Sequence, residues 1–328
     1  MENFRLKIFR TVAHHLNFSR AAEELLLTQP AVTQQIKALE EECEVPLFDR
    51  SGGHISLTGA GHALLPYAQK LKLLVDEALT AVSSASGQDT GQLAIGASQT
   101  IAVYLLPRLM AGFLRHHPRV TITALSGNSD EMLEALMSHR IHLALIEGPA
   151  LRKDIHVEPF MQDNMLLVVP AGHEWADQEI DVATLKEAQL LMREFGSGAR
   201  RVVENALAEV GIRKKDINTR MELGSTEELM SAVEAGLGVT FVSRWAARNQ
   251  LALGKLKIAR VQGLKLSRQF SIVYPGGPAP TGIAGVFRTF LLSQSKDLSP
   301  HPAANSPVAN LTGASSKLPM KKAAGRPM

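Results

Sequence analysis

The chain has 328 residues, 45% hydrophobic and 20% charged, the composition of a core-forming globular protein with room for two or three domains. No run approaches the roughly 18 apolar residues of a membrane helix, the amphipathic start MENFRLKIFRTVAHHLNF does not read as a signal peptide, and a single cysteine, Cys43, excludes an internal disulfide framework and suits a reducing cytoplasm. The formal charge of +3 does not by itself imply a polyanionic partner, because five basic residues face one acid from residue 296 onward and residues 1–295 therefore carry −1.

Residues 1–58 read as short helices. Leu6, Phe9, Val12, Ala13 and Leu16 share one helical face. In SRAAEELLLTQPAVTQQIKALEEE, residues 19–42, two helices meet at a break near Leu27-Thr28. Ser19 is expected to cap the first helix and Thr28 the second, with Pro30 in the first turn, where a missing N–H is harmless. Val32, Ile36 and Leu39 stack on the core side, which turns Pro30, Thr33, Gln34 and Lys37 outward. That outer face is small, polar and nearly uncharged, while Glu40, Glu41, Glu42 and Glu44 occupy the far end. Gln and Thr both donate to and accept from base edges, so the pattern suits a helix entering a DNA major groove. A solvated polar face on a small helical core is the competing reading, and six basic against eight acidic residues in positions 1–60 favour it.

Residues 57–86 read as one long helix with Leu64, Ala68, Leu71, Val75, Ala78 and Val82 at threes and fours, a seam for a partner helix. From Gly91 to about Ser295, strand-like runs (QLAIGAS, RVTITALS, HLALIEG, NMLLVVP, INTRMELG, FSIVYPG) alternate with helical ones, which predicts parallel α/β architecture. Within this region SGNSDEMLEALMSHRIHLALIEG (126–148) aligns without gaps on LGSTEELMSAVEAGLGVTFVSRW (223–245). Two similar halves imply a cleft between them, with helix N-termini at strand ends. The last segment, 296–328, is rich in Pro, Ala, Ser and Asn and is expected to be a disordered basic tail.

The first fifty-odd residues resemble the N-terminal domain of LysR-type transcriptional regulators, on Phe9, Ser19, Ala21-Ala22, Leu25, Gln29-Pro30-Ala31, Ile36, Leu39-Glu40, Pro46-Leu47-Phe48, Arg50 and Leu57-Thr58-Gly61. GASQTIAVYLLPRLMAGFLRHHP, GNSDEMLEAL, LIEGP, REFGSGAR and GSTEELMSAVEAGLGVTFVSRWA resemble, more narrowly, the branch of Calvin-cycle (CbbR-like) and cysteine/sulfite-responsive (CysL-like) regulators. The resemblance implies a multidomain α plus α/β protein. Residues 1–58 would form a winged helix-turn-helix, 59–90 a linker and dimerisation helix with its hinge, and 91–295 a two-lobed effector domain like periplasmic binding proteins. It implies promoter DNA as partner, a homodimer or homotetramer, and a small anionic effector. It departs from the family at Gln34, where many members carry a basic residue, and at the wing tip SGGHIS, which is poor in Lys and Arg.

By resemblance, Gln29, Pro30, Thr33, Gln34 and Lys37 read or flank bases, and Ser19, Arg20 and Arg50 touch phosphate or the minor groove. In the effector domain the candidates lie where helices follow strands: Ser98, Gln99 and Thr100, Asn128 and Ser129, Ser225 and Thr226, with Ser197 in GSGAR. Backbone N–H groups and hydroxyls there make an anion cradle. Arg193 would supply a cation, and Glu147 would need neutralising by Arg193 or Arg200 unless it accepts from a ligand hydroxyl. Helix capping alone is the competing role for each Ser, Thr and Asn. Cys43 is expected to be a buried small residue rather than a redox switch. No catalytic constellation, cofactor or metal is expected. GASQT lacks the second Gly of a nucleophile elbow, GLGVTF lacks the third Gly of a dinucleotide loop, and neighbouring histidines (His14-His15, His116-His117) diverge by about 100° on a helix. Two further readings stay open: a metabolite sensor acting through protein contacts, and an α/β hydrolase using Ser98.

Overall fold

The structure is a computed structural model that describes residues 3–51, 54–85, 90–150 and 152–298. Three helices open the chain: α1 (Phe4–His15), α2 (Phe18–Leu25) and α3 (Gln29–Cys43). Each ends on a residue in the left-handed region, Leu16, Leu26 and Glu44, which turns the chain sharply without glycine. Their inner faces bury Ile8, Phe9, Val12, Phe18, Ala21, Val32, Ile36 and Leu39 in one core. Thr28 caps α3 as expected, its Oγ1 accepting from the N–H of Ala31 at 3.4 Å. The cap of α2 is Asn17, not Ser19: Asn17 Oδ1 accepts from Arg20 N at 3.0 Å, and Ser19 lies inside the first turn. A two-stranded wing follows, β1 (Phe48–Asp49) against β2 (Ser56–Leu57). Cys43, at the last position of α3, is exposed rather than buried, because it lies beyond the core-facing Leu39.

The linker is a single helix, α4 (Gly59–Ala85), continuous through Pro66. The structure divides the expected seam: Leu71 and Val82 stay exposed, while Leu64 and Ala68 turn to the chain's own core. Ala68 is buried with the N-terminal core, and Leu64 packs against the same cluster. Further along, the helix docks on the C-terminal domain through buried Thr80. The exposed stripe is Tyr67, Leu71, Leu74 and Val82. These positions fall four, three and eight residues apart, one helical face.

The C-terminal region forms two lobes. Lobe 1 holds β3 (Thr90–Ser98), α5 (Gln99–Tyr104), α6 (Leu106–His116), β4 (Arg119–Gly127), α7 (Ser129–Met137) and β5 (Leu143–Glu147). A 16-residue strand, β6 (Ile155–Pro170), then crosses into lobe 2. Lobe 2 holds β7 (Glu179–Ile180), α8 (Val182–Lys186), β8 (Leu190–Arg193), α9 (Gly198–Glu209), β9 (Thr219–Leu223), α10 (Thr226–Glu234), β10 (Thr240–Ser243), α11 (Arg244–Ala252) and β11 (Leu256–Val261). The chain returns to lobe 1 with β12 (Ser267–Pro275) and α12 (Gly282–Leu298). The latter overlaps the start of the expected tail, and 299–328 lie outside the described residues.

The sheets are mixed rather than wholly parallel. β4, β3 and β5 run parallel, as do β8 and β9, but β12 pairs antiparallel with both β5 and β6, and β10 and β11 pair antiparallel with β6. Each antiparallel pairing described in the lobes involves β6 or β12, the strands that carry the chain between them: β6 serves lobe 1 with residues 155–164 and lobe 2 with 165–170. The repeat seen in the sequence is structural. β4–α7–β5 in one lobe corresponds to β9–α10–β10 in the other, and both helices begin with a capping box, Asn128 with Glu131 and Ser225 with Glu228.

Candidate functional site

Two places gather the expected site residues. The first is the outer face of α3. Gln29, Pro30, Gln34 and Lys37 are exposed there, with Thr33 half-buried, while Val32, Ile36 and Leu39 face inward. Gln29 Nε2 donates to Thr33 Oγ1 at 3.2 Å, and Thr33 Oγ1 donates to the carbonyl of Gln29 at 3.0 Å. The two side chains are thereby held together on the first turn. Lys37 pairs loosely with Glu41 at 3.8 Å. Ser19 and Arg20 are exposed at the start of α2.

Arg50 is braced rather than free. Its guanidinium lies 4.8 Å from the Phe18 ring centroid and donates to Glu40 Oε2 at 3.3 Å. The same carboxylate accepts from the backbone N–H of Leu47 at 2.8 Å and of Phe48 at 3.1 Å through Oε1. Glu40 therefore ties the end of α3 to the wing. Sequence reading grouped it with an acidic run and missed this role, which no spacing pattern signals.

The second place is the junction of the lobes, where helix starts meet in pairs. The start of α7 meets the turn before α9. Asp130 N donates to Gly196 O at 3.3 Å, and Asp130 also receives Arg201 Nη1 at 3.0 Å on both oxygens. Gly198 fits so closely here that an added Cβ would lie 1.8 Å from the Glu147 carbonyl oxygen and 2.6 Å from Ser129 Oγ. The start of α5 meets the start of α10: Gln99 Nε2 donates to Gly224 O at 2.9 Å. Behind it, Tyr104 bonds Glu227, and burial together with that carboxylate raises the Tyr104 pKa.

Most of the expected cradle residues also serve their own lobes. Asn128 and Ser225 accept from their N3 backbone. Ser197 accepts from Arg200 N at 3.4 Å. Ser129 Oγ donates to Glu147 O at 3.2 Å. Arg193 is 3% exposed and heavily engaged within its own lobe: Nε and Nη2 donate to Glu194, Nη1 to Thr226 Oγ1, and Nη2 also to Gly224 O. Ser98 differs. It is fully buried, makes no capping bond to α5, and its Oγ has no hydrogen-bond partner, nor has Gln99 Oε1. Thr100 is buried beside them. Among the described residues no base is hydrogen-bonded to Ser98 Oγ.

Glu147 is neutralised by neither expected arginine. Arg268, which the sequence reading did not single out, holds it at 2.7 Å and holds Asp163 at 2.8 Å, with all three buried. Asp163 also receives Ser243 Oγ at 2.9 Å. Burial raises the Asp163 pKa against the opposing pull of Arg268. Arg200 instead pairs with Glu204 and Glu222. A cavity of about 640 Å³ lies elsewhere, in lobe 2, lined by Met165, Phe241, Arg244 and Arg260 among others and by none of the expected site residues. Ser98 Oγ and Gln99 Oε1 lie at the lobe junction and not in this open cavity.

The divergence expected of His14 and His15 needs correction as well. Their rings lie 4.8 Å apart edge to face, and His15 Nε2 sits 2.6 Å from Glu24 Oε2 on the next helix. His116 bonds the Gly112 carbonyl while the ring of His117 packs on Phe113, so that pair does diverge.

Comparison with known proteins covers nearly the same span. Residues 4–62 match the family model for bacterial regulatory helix-turn-helix proteins of the lysR family, and residues 86–296 match the LysR substrate binding domain. The chain is 34% identical over 294 residues to a RuBisCO operon transcriptional regulator of Acidithiobacillus ferrooxidans, covering 89% of this chain and 94% of that one. It is 33% identical over 292 residues to a RuBisCO operon transcriptional regulator of Allochromatium vinosum, covering 89% and 95%. Among solved structures it is similar in fold to CbnR, a LysR family transcriptional regulator, with TM-score 0.67 at 23% identity over 90% of this chain and 99% of that one. It is also similar in fold to the CcmR regulatory domain of Synechocystis PCC6803 in complex with 2-PG, with TM-score 0.58 at 22% identity over 63% and 99%.

Proposed function

We propose a mechanism from one premise: the chain belongs to the LysR family of DNA-binding transcriptional regulators and is not an enzyme. The outer face of α3 reads the major groove with Gln29, Thr33 and Gln34, flanked by Pro30 and Lys37. Ser19, Arg20 and the braced Arg50 position the domain on the backbone. Since the near-uncharged reading face brings little phosphate attraction, two heads on one DNA face must share the task. The exposed stripe of α4 supports an isologous pairing of linker helices that would place them there. The regulator works in the cytoplasm; no described helix is long and apolar enough to cross a membrane.

The signal is a small anion bound between the lobes at Ser98, Gln99, Thr100, Asn128, Ser129, Ser197, Ser225 and Thr226. One observation carries this: helix starts from both lobes converge in pairs on a junction where Ser98 Oγ and Gln99 Oε1 are buried without partners. Buried polar atoms without partners are costly, and a ligand that supplies the missing hydrogen bonds gains from them. Helix N-termini add partial positive charge. In this reading Arg193 shapes the floor rather than meeting the ligand, and Glu147 is held out of the way by Arg268. A ligand that prefers one lobe arrangement by a factor of ten shifts the equilibrium by about 1.4 kcal/mol. The relatives point to a carbon-fixation operon as target and to phosphorylated acids of the 2-PG kind as ligands to try. Gel-shift on the protein's own upstream region, with and without 2-PG, sugar phosphates, sulfate and sulfite, tests the reading. It expects a bound band whose mobility or affinity one anion alters. A chain that never shifts the DNA would favour a sensor acting through protein contacts.

A further inference from the structure

We propose that His14, His15 and Glu24 form a binding site for one divalent transition-metal ion of the zinc class in the helix-turn-helix domain. The three side chains each offer a ligand atom, and those atoms lie within 4.8 Å of one another. Around tetrahedral zinc, N and O ligands at about 2.0–2.2 Å stand roughly 3.4 Å apart. Rotamer adjustment of side chains that are exposed or half-buried closes that difference, with no backbone movement. Two imidazoles and a carboxylate are a borderline donor set, which suits Zn²⁺ or Ni²⁺ and discriminates against Mg²⁺ and Ca²⁺, which take oxygen ligands.

The surroundings favour a cation. His14 and His15 close the last turn of α1, where the unpaired carbonyls carry partial negative charge. The ligands come from two helices whose relative placement is already set by the packing of Val12, Phe18, Ala21 and Ala22. His15 Nε2 and Glu24 Oε2 already meet across the two helices, 2.6 Å apart. A metal ion between them would replace that direct contact with two coordination bonds. Three protein ligands leave the fourth position to water. The ion would then staple the end of α1 to the last turn of α2, immediately before the turn that leads into α3.

The test is titration calorimetry of the full-length protein, stripped with chelator, against Zn²⁺, with Mg²⁺ as the hard-ion control. Wild type is expected to take one zinc ion per chain and to ignore Mg²⁺. His14→Ala and Glu24→Gln alter exposed side chains outside the core, and circular dichroism confirms that each folds. Each is expected to bind that ion at least tenfold more weakly, and zinc is expected to raise the melting temperature of wild type but of neither variant. Failure of wild type to bind zinc, or binding within tenfold of wild type in either variant, overturns the proposal.

Discussion

Arg268 Nε lies 2.8 Å from Asp163 Oδ2, and the same guanidinium reaches Glu147 at 2.7 Å, so one buried cation serves two buried carboxylates where the chain passes between the lobes. Asp163 lies on β6 and Arg268 on β12, the two strands that join lobe 1 to lobe 2. Ser243, which bonds Asp163, closes β10 in lobe 2. Arg268→Met would leave both carboxylates buried and uncompensated, and is expected to cost about 3–5 kcal/mol. Asp163→Asn keeps one carboxylate for the one arginine and is expected to cost clearly less. Urea denaturation of the two variants checks the order.

The same site predicts a pH dependence. The folded Asp163 pKa is raised above its ordinary value of 3.8, chiefly by burial. The folded state therefore holds the proton more tightly than the unfolded state. The stability this contributes is full below about 3.8 and is lost as pH rises through the folded value. Asp163→Asn should remove that part of the pH profile. An unchanged profile in denaturant titrations from acid to neutral pH would place the raised pKa on another group.

Gly198→Ala should force the lobes apart at one edge. The new Cβ would meet the Glu147 carbonyl at 1.8 Å, and backbone cannot yield that far without the junction opening. Overpacking of this kind costs about 1–3 kcal/mol. The variant is expected to remain folded but to weaken ligand binding, and small-angle scattering should show a larger radius.

At the DNA-facing end, Gln29→Ala should relax base preference by roughly 1–3 kcal/mol. Glu40→Ala should act differently, by stranding the N–H groups of Leu47 and Phe48 and releasing Arg50. Binding to all sequences should weaken together, with preference retained. Competition gel-shifts against randomised sites separate the two patterns.

Leu71→Glu places a charge in the middle of the exposed stripe on α4 and should yield a monomer by light scattering, with tight DNA binding lost. Ala68→Glu, by contrast, should unfold the N-terminal core, since Ala68 is 1% exposed inside it. That contrast marks what was legible in the sequence. Periodicity identified the α4 helix and its apolar content, but residues three and four apart can face a partner chain or the same chain, and only the docking of α4 on both domains separates the two. Some local chemistry was legible: Thr28 and Pro30 at the start of α3, and the core triad Val32, Ile36 and Leu39. Ser19 was misplaced by two residues because Asn17 caps equally well. Arg268 escaped notice because its partners lie 105 and 121 positions away, and long-range ion pairs leave no spacing signal. The pairing of Arg193 with its neighbour Glu194 escaped for another reason: adjacency says nothing about which way either side chain turns.

The central claim is that an anion completes the buried, unpartnered groups at the lobe junction. Its most direct test is titration calorimetry of wild type and of the Ser98→Ala/Thr100→Ala double variant against 2-PG, sugar phosphates, sulfate and sulfite. The account predicts that one of these anions binds wild type and that the double variant loses at least tenfold in affinity for it. Equal affinity in the two proteins, or binding of a neutral metabolite with none of the anions, would contradict it.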